Sequence, residues 1–370
     1  MLRCDTIAWK ILLAWAGLLV RPTDATAQVG IIIEGIADAE FWATDDASRL
    51  LARNAGQPEM EFNVNLWSAV QLHPTLFLYA LGTFSGVAPF GNEEVAGDAD
   101  VTQLTLRYTI SPAFMSEVGK IESPLGTFAS RRLSNRNPLI GMPDAYPTSY
   151  PWGVKVGGAW KQVDYRAGLV SLPAVNERYV PEFSHRLRPV FGAGFTVTPN
   201  VRVGSSVTWG PYLGTAVQDV LPSGSSWPDF NQWILAFDAR FGVGHLATYA
   251  EIAFSGYDIP GREESQDGYA YYIEATYSLH PRLFASGRFE QNNYPFIRPI
   301  DATNWRSVTT NFYNAEAGIG YRASRRTTLK VSYRRDEWPF NPNSQVTFEN
   351  GYAIAVQFSH HFDVMSLLDR

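Results

Sequence analysis

Residues 349–359 read Glu-Asn-Gly-Tyr-Ala-Ile-Ala-Val-Gln-Phe-Ser. Tyr352, Ile354, Val356 and Phe358 fall on one face of an extended chain, and Ala353, Ala355, Gln357 and Ser359 on the other, because successive strand side chains point to opposite sides. A helix would scatter the same residues around its circumference. The split recurs upstream. In 311–322, Tyr313, Ala315, Ala317, Ile319 and Tyr321 oppose Asn314, Glu316, Gly318, Gly320 and Arg322. In 232–241, Trp233, Leu235, Phe237, Ala239 and Phe241 oppose Gln232, Ile234, Ala236, Asp238 and Arg240.

The second face is small, polar and mixed in charge, as a water-filled interior requires, and aromatic residues gather near strand ends, where bilayer interfaces hold them. The chain has 22 Phe, 18 Tyr, 11 Trp and 30 Gly at a mean hydropathy of only −0.14. A strand that shows lipid every second residue keeps such an ordinary average. No apolar segment after residue 28 approaches the ~20 residues of a spanning helix.

Connections alternate in length. Short turns are expected at 73–74, 111–112, 162–163, 199–200, 242–245, 280–281 and 323–326, rich in Pro, Asn and Gly. Longer connections fall at 43–58, 87–98, 123–151, 174–186, 211–228, 257–268, 293–309 and 338–348. This pattern predicts an all-β fold, a transmembrane antiparallel β-barrel of about sixteen strands with short periplasmic turns and long extracellular loops. The strand at 113–122 is irregular, because Glu117 and Lys120 alternate onto opposite faces; a bulge or a strand end would resolve it.

Residues 1–27 read as an export signal. Arg3 and Lys10 precede the apolar run Ile11 to Val20, and Ala25-Thr26-Ala27 offers a cleavage site. The competing reading, a membrane anchor, needs a longer apolar run. Residues 28–370 then form one barrel. Residues 1–27 hold three of the 30 basic and two of the 36 acidic residues, so the mature chain carries 27 and 34, net −7. That balance excludes a nucleic-acid partner. The single cysteine, Cys4, lies within the signal, so disulfide and thiol chemistry are not expected.

On this architecture the chain resembles the bacterial porins. The long third loop, 123–151, stands where general porins fold a loop into the barrel, which implies a constriction loop. Val118-Gly119-Lys120 followed by Ser123-Pro124-Leu125-Gly126 resembles a stretch of phosphate-selective-type porins, with Leu125 in place of the usual Phe. Glu349, Gly351, Ile354, Val356 and Phe358 are similar to the terminal signal read by the barrel-assembly machinery, although the chain continues through His360-His361-Phe362 to Arg370. The resemblance implies homotrimers in contact with outer-membrane lipid and lipopolysaccharide.

Candidate selectivity residues follow from the alternation. Arg107, Lys155, Arg166 and Arg202 should point inward from strands four to nine, and Glu251, Glu274, Glu290 and Glu316 from strands eleven to fourteen. Arg240, Arg288, Lys330 and Arg334 interrupt the acidic arc. The third loop adds Arg131, Arg132 and Arg136, against Glu122 and Asp144. Guanidiniums at a narrow, low-dielectric passage favour anions; paired with wall carboxylates, they would merely pin the loop.

No hydrolase, metalloprotease or nucleotide-binding motif is present. Of six histidines, His73, His245 and His280 fall in turns, His360 and His361 after the last strand, and none, with His185, on a lipid-facing strand position where an outer-membrane phospholipase would need one. Asp45-Asp46 and Glu263-Glu264 are read as solvated or lipopolysaccharide-facing loop charges, with a divalent-cation role as the alternative. No enzyme activity, metal or cofactor is therefore expected. The expected function is passive diffusion of small hydrophilic solutes, with anions preferred. The alternative is a surface-binding or structural barrel, an adhesin or part of a larger complex, with an occluded lumen.

Overall fold

The computed structural model describes residues 30–48, 51–89, 96–144, 150–171, 186–299, 305–339 and 349–364. Residues 1–27 lie outside this range, as do parts of the third loop (145–149) and of the connections 87–98, 174–186, 293–309 and 338–348.

Alternation of apolar and polar residues is realised as sixteen strands: β1 (Ile31–Thr44), β2 (Glu59–His73), β3 (Leu76–Pro89), β4 (Ala96–Ser111), β5 (Phe114–Lys120), β6 (Trp152–Trp160), β7 (Val163–Val170), β8 (Arg188–Thr198), β9 (Val201–Pro211), β10 (Asn231–Val243), β11 (Leu246–Tyr257), β12 (Gln266–His280), β13 (Leu283–Pro299), β14 (Trp305–Arg322), β15 (Thr327–Glu337) and β16 (Gly351–Asp363). Each pairs antiparallel with its sequence neighbours, and β1 pairs with β16 to close the ring. Closure removes the open edges that a membrane cannot hydrate. With neighbours antiparallel throughout, the turns after β2, β8 and β12 share one end.

The two faces separate as the pattern requires. Ile273, Ile319, Val331, Ile354 and Val356 are exposed on the outer surface. Trp152, Trp209, Trp233 and Tyr352 stand near its long-loop end, and Tyr108, Trp160, Phe241, Tyr277 and Tyr321 near its short-turn end. An aliphatic band between two aromatic girdles is the surface a bilayer selects. The inner face buries Asp38, Glu40, Glu117, Asp238, Glu251, Glu274, Arg288, Glu316 and Lys330.

Two details depart from the sequence reading. β16 does not end at residue 359 but runs to Asp363, pairing Ala37 with His360 and Ile36 with His361. The irregular fifth strand is resolved by a strand end. Glu117 is buried between Arg107 (2.5 Å) and Lys155 (2.9 Å), and Lys120 closes the strand by donating to Asp100 (3.2 Å) and to the Val101 carbonyl (2.6 Å).

Candidate functional site

Between β5 and β6 the chain enters the ring and is fastened strand by strand. At Gly126, φ is +70°, a left-handed conformation that a side chain would strain, and its N–H donates to Ser206 Oγ on β9 (3.2 Å). The next residue, Thr127, gives its N–H (3.2 Å) and its hydroxyl (2.6 Å) to Glu251 on β11. Arg131 pairs with Glu274 on β12 (2.6 Å), donates to Tyr272 Oη (3.1 Å) and lies 3.7 Å over the Tyr249 ring. Ser134 and Ser359 share a hydrogen bond of 2.6 Å. Lys330 on β15 donates to the carbonyls of Ser134 (2.7 Å), Asn137 (2.8 Å) and Leu139 (3.4 Å). Ile140 and Gly141 give their N–H groups to Glu316 on β14 (3.2 and 3.0 Å), and Asp144 pairs with Arg334. Loop backbone without a sheet partner must find other donors and acceptors when buried; here Ser206 of β9 and the inward charges Glu251, Glu316 and Lys330 of β11, β14 and β15 supply them.

Behind these contacts lies a buried charge network. Arg288, almost wholly enclosed, reaches Glu316 (2.6 Å), Glu274 (3.3 Å) and Glu290 (3.9 Å). A Cβ at position 141 would stand 2.6 Å from Glu316 Oε2 and 2.9 Å from Arg334 Nη1, so only glycine lets the backbone come this close to the network.

The opposite half of the ring is arranged differently. Lys155 and Arg166 reach only the start of the segment, at the carbonyls of Glu122 (3.2 Å) and Pro124 (2.5 Å). Arg202 is taken up by Asp164 (2.7 Å) and Asp238. Among the described residues, no hydrogen bond joins the segment to β2, β3 or β4. A cavity of about 490 Å³ separates them, lined by Trp67, Tyr79 and Arg107 on the wall and by Arg132, Arg136 and Tyr150 on the segment. Cavities of about 470 and 380 Å³ adjoin it, and Ser130 lines all three. Burial pushes the Glu122 carboxyl, which lines two of them, above the usual range, with Lys155 pulling the other way.

The eleven candidate residues therefore all face the interior, but in two conditions. Arg107, Lys155, Arg166, Arg202, Glu251, Glu274, Glu290 and Glu316 are bound to neighbours, and so is Arg131, expected above as a selectivity residue; its loss would leave Glu274 with Arg288 alone. Among the described residues, Arg132, Arg136 and Arg240 have no carboxylate partner. Arg132 lies with its Cζ 5.0 Å from the Tyr150 ring and its Nε and Nη2, shut off from solvent, have no acceptor; exposed Arg136 donates to the Ser130 carbonyl (3.1 Å), and exposed Arg240 faces Tyr249.

Three sequence readings need correction. The connection 211–228 is not simply external: Tyr212, Leu213, Val217 and Leu221 are buried against inward-facing Val190, Ile234 and Phe312 and against Leu125 and Phe128 of the third loop. Its one-sided apolar spacing was the available signal. Asp45 is not a free loop charge. It accepts the N–H groups of Ala47 (2.9 Å), Ser48 (2.7 Å) and Tyr352. Finally, His360 and His361 belong to β16. His361 turns inward, stacked on Trp67 at 5.6 Å and 3.5 Å from Glu34, whereas His360 shares the lipid-facing register of Phe358 and bonds Thr327 (3.0 Å).

No family model and no curated protein matches the chain. Solved structures do. An anion-selective porin from Comamonas acidovorans is 10% identical with a TM-score of 0.59, covering 90% of this chain and 100% of that one. OmpT, an outer membrane protein of Vibrio cholerae, is 11% identical with a TM-score of 0.55, covering 91% of this chain and 99% of that one. A form of OmpT lacking loop L8 matches equally well. The chain thus has the fold of the outer-membrane β-barrels, with the lipid-facing belt of that membrane. These matches also overturn the exclusion of enzyme activity. A barrel shared with OmpT at 11% identity leaves catalysis open, since a fold does not fix a function, and the absence of a lipid-facing histidine, on which the exclusion leaned, fails at His360.

Proposed function

We propose that this outer-membrane β-barrel is a channel for passive diffusion of small hydrophilic solutes, with segment 123–151 as its constriction and a preference for anions. The observation that carries the reading is the cavity between that segment and β2–β4, whose lining includes two guanidiniums without a carboxylate partner among the described residues, Arg132 and Arg136, both from the segment itself. Local fields at close range outweigh the net −7 of the mature chain, which is screened beyond ~8 Å at physiological salt. Removal of residues 1–27 on export, insertion by the barrel-assembly machinery and homotrimer formation complete the proposal. The test is the reversal potential of the purified barrel in a planar bilayer across a salt gradient. Anion preference is expected, and Arg132→Ser with Arg136→Ser should shift it toward cations. An unchanged potential would remove these residues from the selectivity mechanism.

One observation favours the second reading, a binding barrel with an occluded lumen: residues 212–221 and 121–128 pack into a common apolar cluster on the β8–β14 side. Absence of any conductance from folded protein would decide for it.

A further inference from the structure

The cavity between the third loop and β2–β4 is unlike its neighbour. The adjoining cavity under β9–β11 is lined by Arg131, Arg136, Arg202 and Arg240 with one carboxylate, Asp238, and its single ring, Tyr249, is faced by Arg131 and Arg240. The cavity at β2–β4 combines guanidiniums with four aromatic rings, those of Trp67, Tyr79, Tyr150 and His361. Arg107 lies 4.5 Å over Tyr79, Arg132 lies 5.0 Å from Tyr150, and Trp67 stands on the wall beside them. Its volume, about 490 Å³, falls within the range of small-molecule sites.

Resting on the channel reading above, we infer that this cavity is a binding subsite for small aromatic carboxylates. The carboxylate half of such a ligand needs convergent N–H donors that are not already spent. Arg107 is spent on Glu117 and Arg132 Nε and Nη2 are shut off from solvent, but exposed Arg136 is held only through Nη1, by the Ser130 carbonyl, and keeps its other N–H groups for a ligand, with the half-buried Arg132 guanidinium beside it. A guanidinium resting on a ring is fixed in orientation and weakly hydrated, so it gives up little water to bind an anion. The aryl half needs ring edges and faces to displace water, which Trp67, Tyr79 and Tyr150 provide. An inorganic anion or acetate uses only the first half and gains nothing from the rings.

Two carboxylates also line the cavity. Glu34 is engaged by Trp67 Nε1 (3.1 Å) and His361 (3.5 Å). Glu122 lies where burial disfavours its charge, which limits repulsion of an incoming anion.

The experiment is calorimetric titration of the detergent-solubilised mature barrel with benzoate and, separately, acetate, beside single-channel recording in chloride with each added. Benzoate should bind at least about tenfold more tightly than acetate and interrupt the chloride current at correspondingly lower concentration. Arg132→Gln with Arg136→Gln should weaken benzoate binding about tenfold or more. Tyr79→Leu with Trp67→Leu should erase the preference of benzoate over acetate; retention of the heat-modifiable folded band shows that each variant has assembled. No benzoate heat, or equal affinities for benzoate and acetate, overturns the subsite. Benzoate binding without chloride conductance instead overturns the channel reading and leaves the subsite standing, so the two failures are distinguishable.

Discussion

The two halves of the barrel interior spend their charges in opposite ways. On β11–β16, Glu251, Glu274, Glu316, Lys330 and Arg334 are committed to the third loop or to Arg288, and the lumen there is filled. On β2–β4 the wall touches no loop donor or acceptor described, and Arg136, without a carboxylate partner among the described residues, faces open space. A buried ion pair contributes little net stability, because desolvation offsets attraction, yet breaking one is expensive. The filled half thus behaves as a fixture, whose charges are legible as anchors. Charge that a passing solute can use lies outside that half, at Arg136 and at Arg240 on β10.

The largest effect expected from this contrast is at Arg288. Arg288→Met would leave Glu274 and Glu316 facing each other without the cation between them, and removal of one partner from a buried pair costs ~3–5 kcal/mol. The folded band should be lost at clearly lower temperature. Arg107→Met in the open half is the matched comparison. Arg107 is partly exposed and Glu117 keeps Lys155, so its loss should be much milder. Equal losses from the two variants would break the distinction between the halves.

A smaller effect is expected at Lys330, whose ammonium gathers three carbonyls of the loop. Hydrogen bonds to a charged group contribute ~1.5–3 kcal/mol. Lys330→Met should raise hydrogen exchange over residues 134–141, while the amide of Thr127, held separately by Glu251, stays protected. Uniform deprotection of the whole segment would mean that it is fastened as a single unit, and the contrast between anchors would need redrawing.

How much of this was legible in the sequence depends on the range of the forces involved. Strand alternation is local, so the faces of 232–241, 311–322 and 349–359 could be read residue by residue, and with them the inward direction of Arg107, Arg202, Glu274 and Glu316. Pairing is not local. Arg131, Arg132 and Arg136 look equivalent within six residues of sequence, and only the ring decides that Arg131 meets Glu274, 143 positions away, while Arg132 meets a tyrosine. The inward packing of 211–228 is not legible in this way, because Tyr212, Leu213, Val217 and Leu221 sit among Pro, Ser and Gly that also mark external loops. The end of β16 was obscured because His360-His361 breaks the apolar alternation, although the register with β1 continues through both.

The smallest effect expected lies on the seam between the halves, at Asp45, and is read by pH. Burial opposes ionisation of this carboxyl, but the N–H groups of Ser48, Tyr352 and Ala47 outweigh it and hold Asp45 below the usual carboxylate range. A carboxyl with a lowered pKa in the folded state contributes stability that is present above its unfolded pKa, ~3.9, and lost as pH falls through the lower folded value. Below about pH 4, the start of the 43–58 connection should therefore loosen from β16, seen as faster amide exchange at Ala47, Ser48 and Tyr352. Asp45→Asn should show the loosened exchange already at pH 7 and little further change on acidification. The strand amides of Ile354 and Val356, in the backbone ladders that join β16 to β1 and β15 and not held by a carboxylate, should still be protected at the pH where this anchor lets go. If these amides deprotect together with Ala47 and Ser48, the acid response is global, and Asp45 is no separate anchor of the seam.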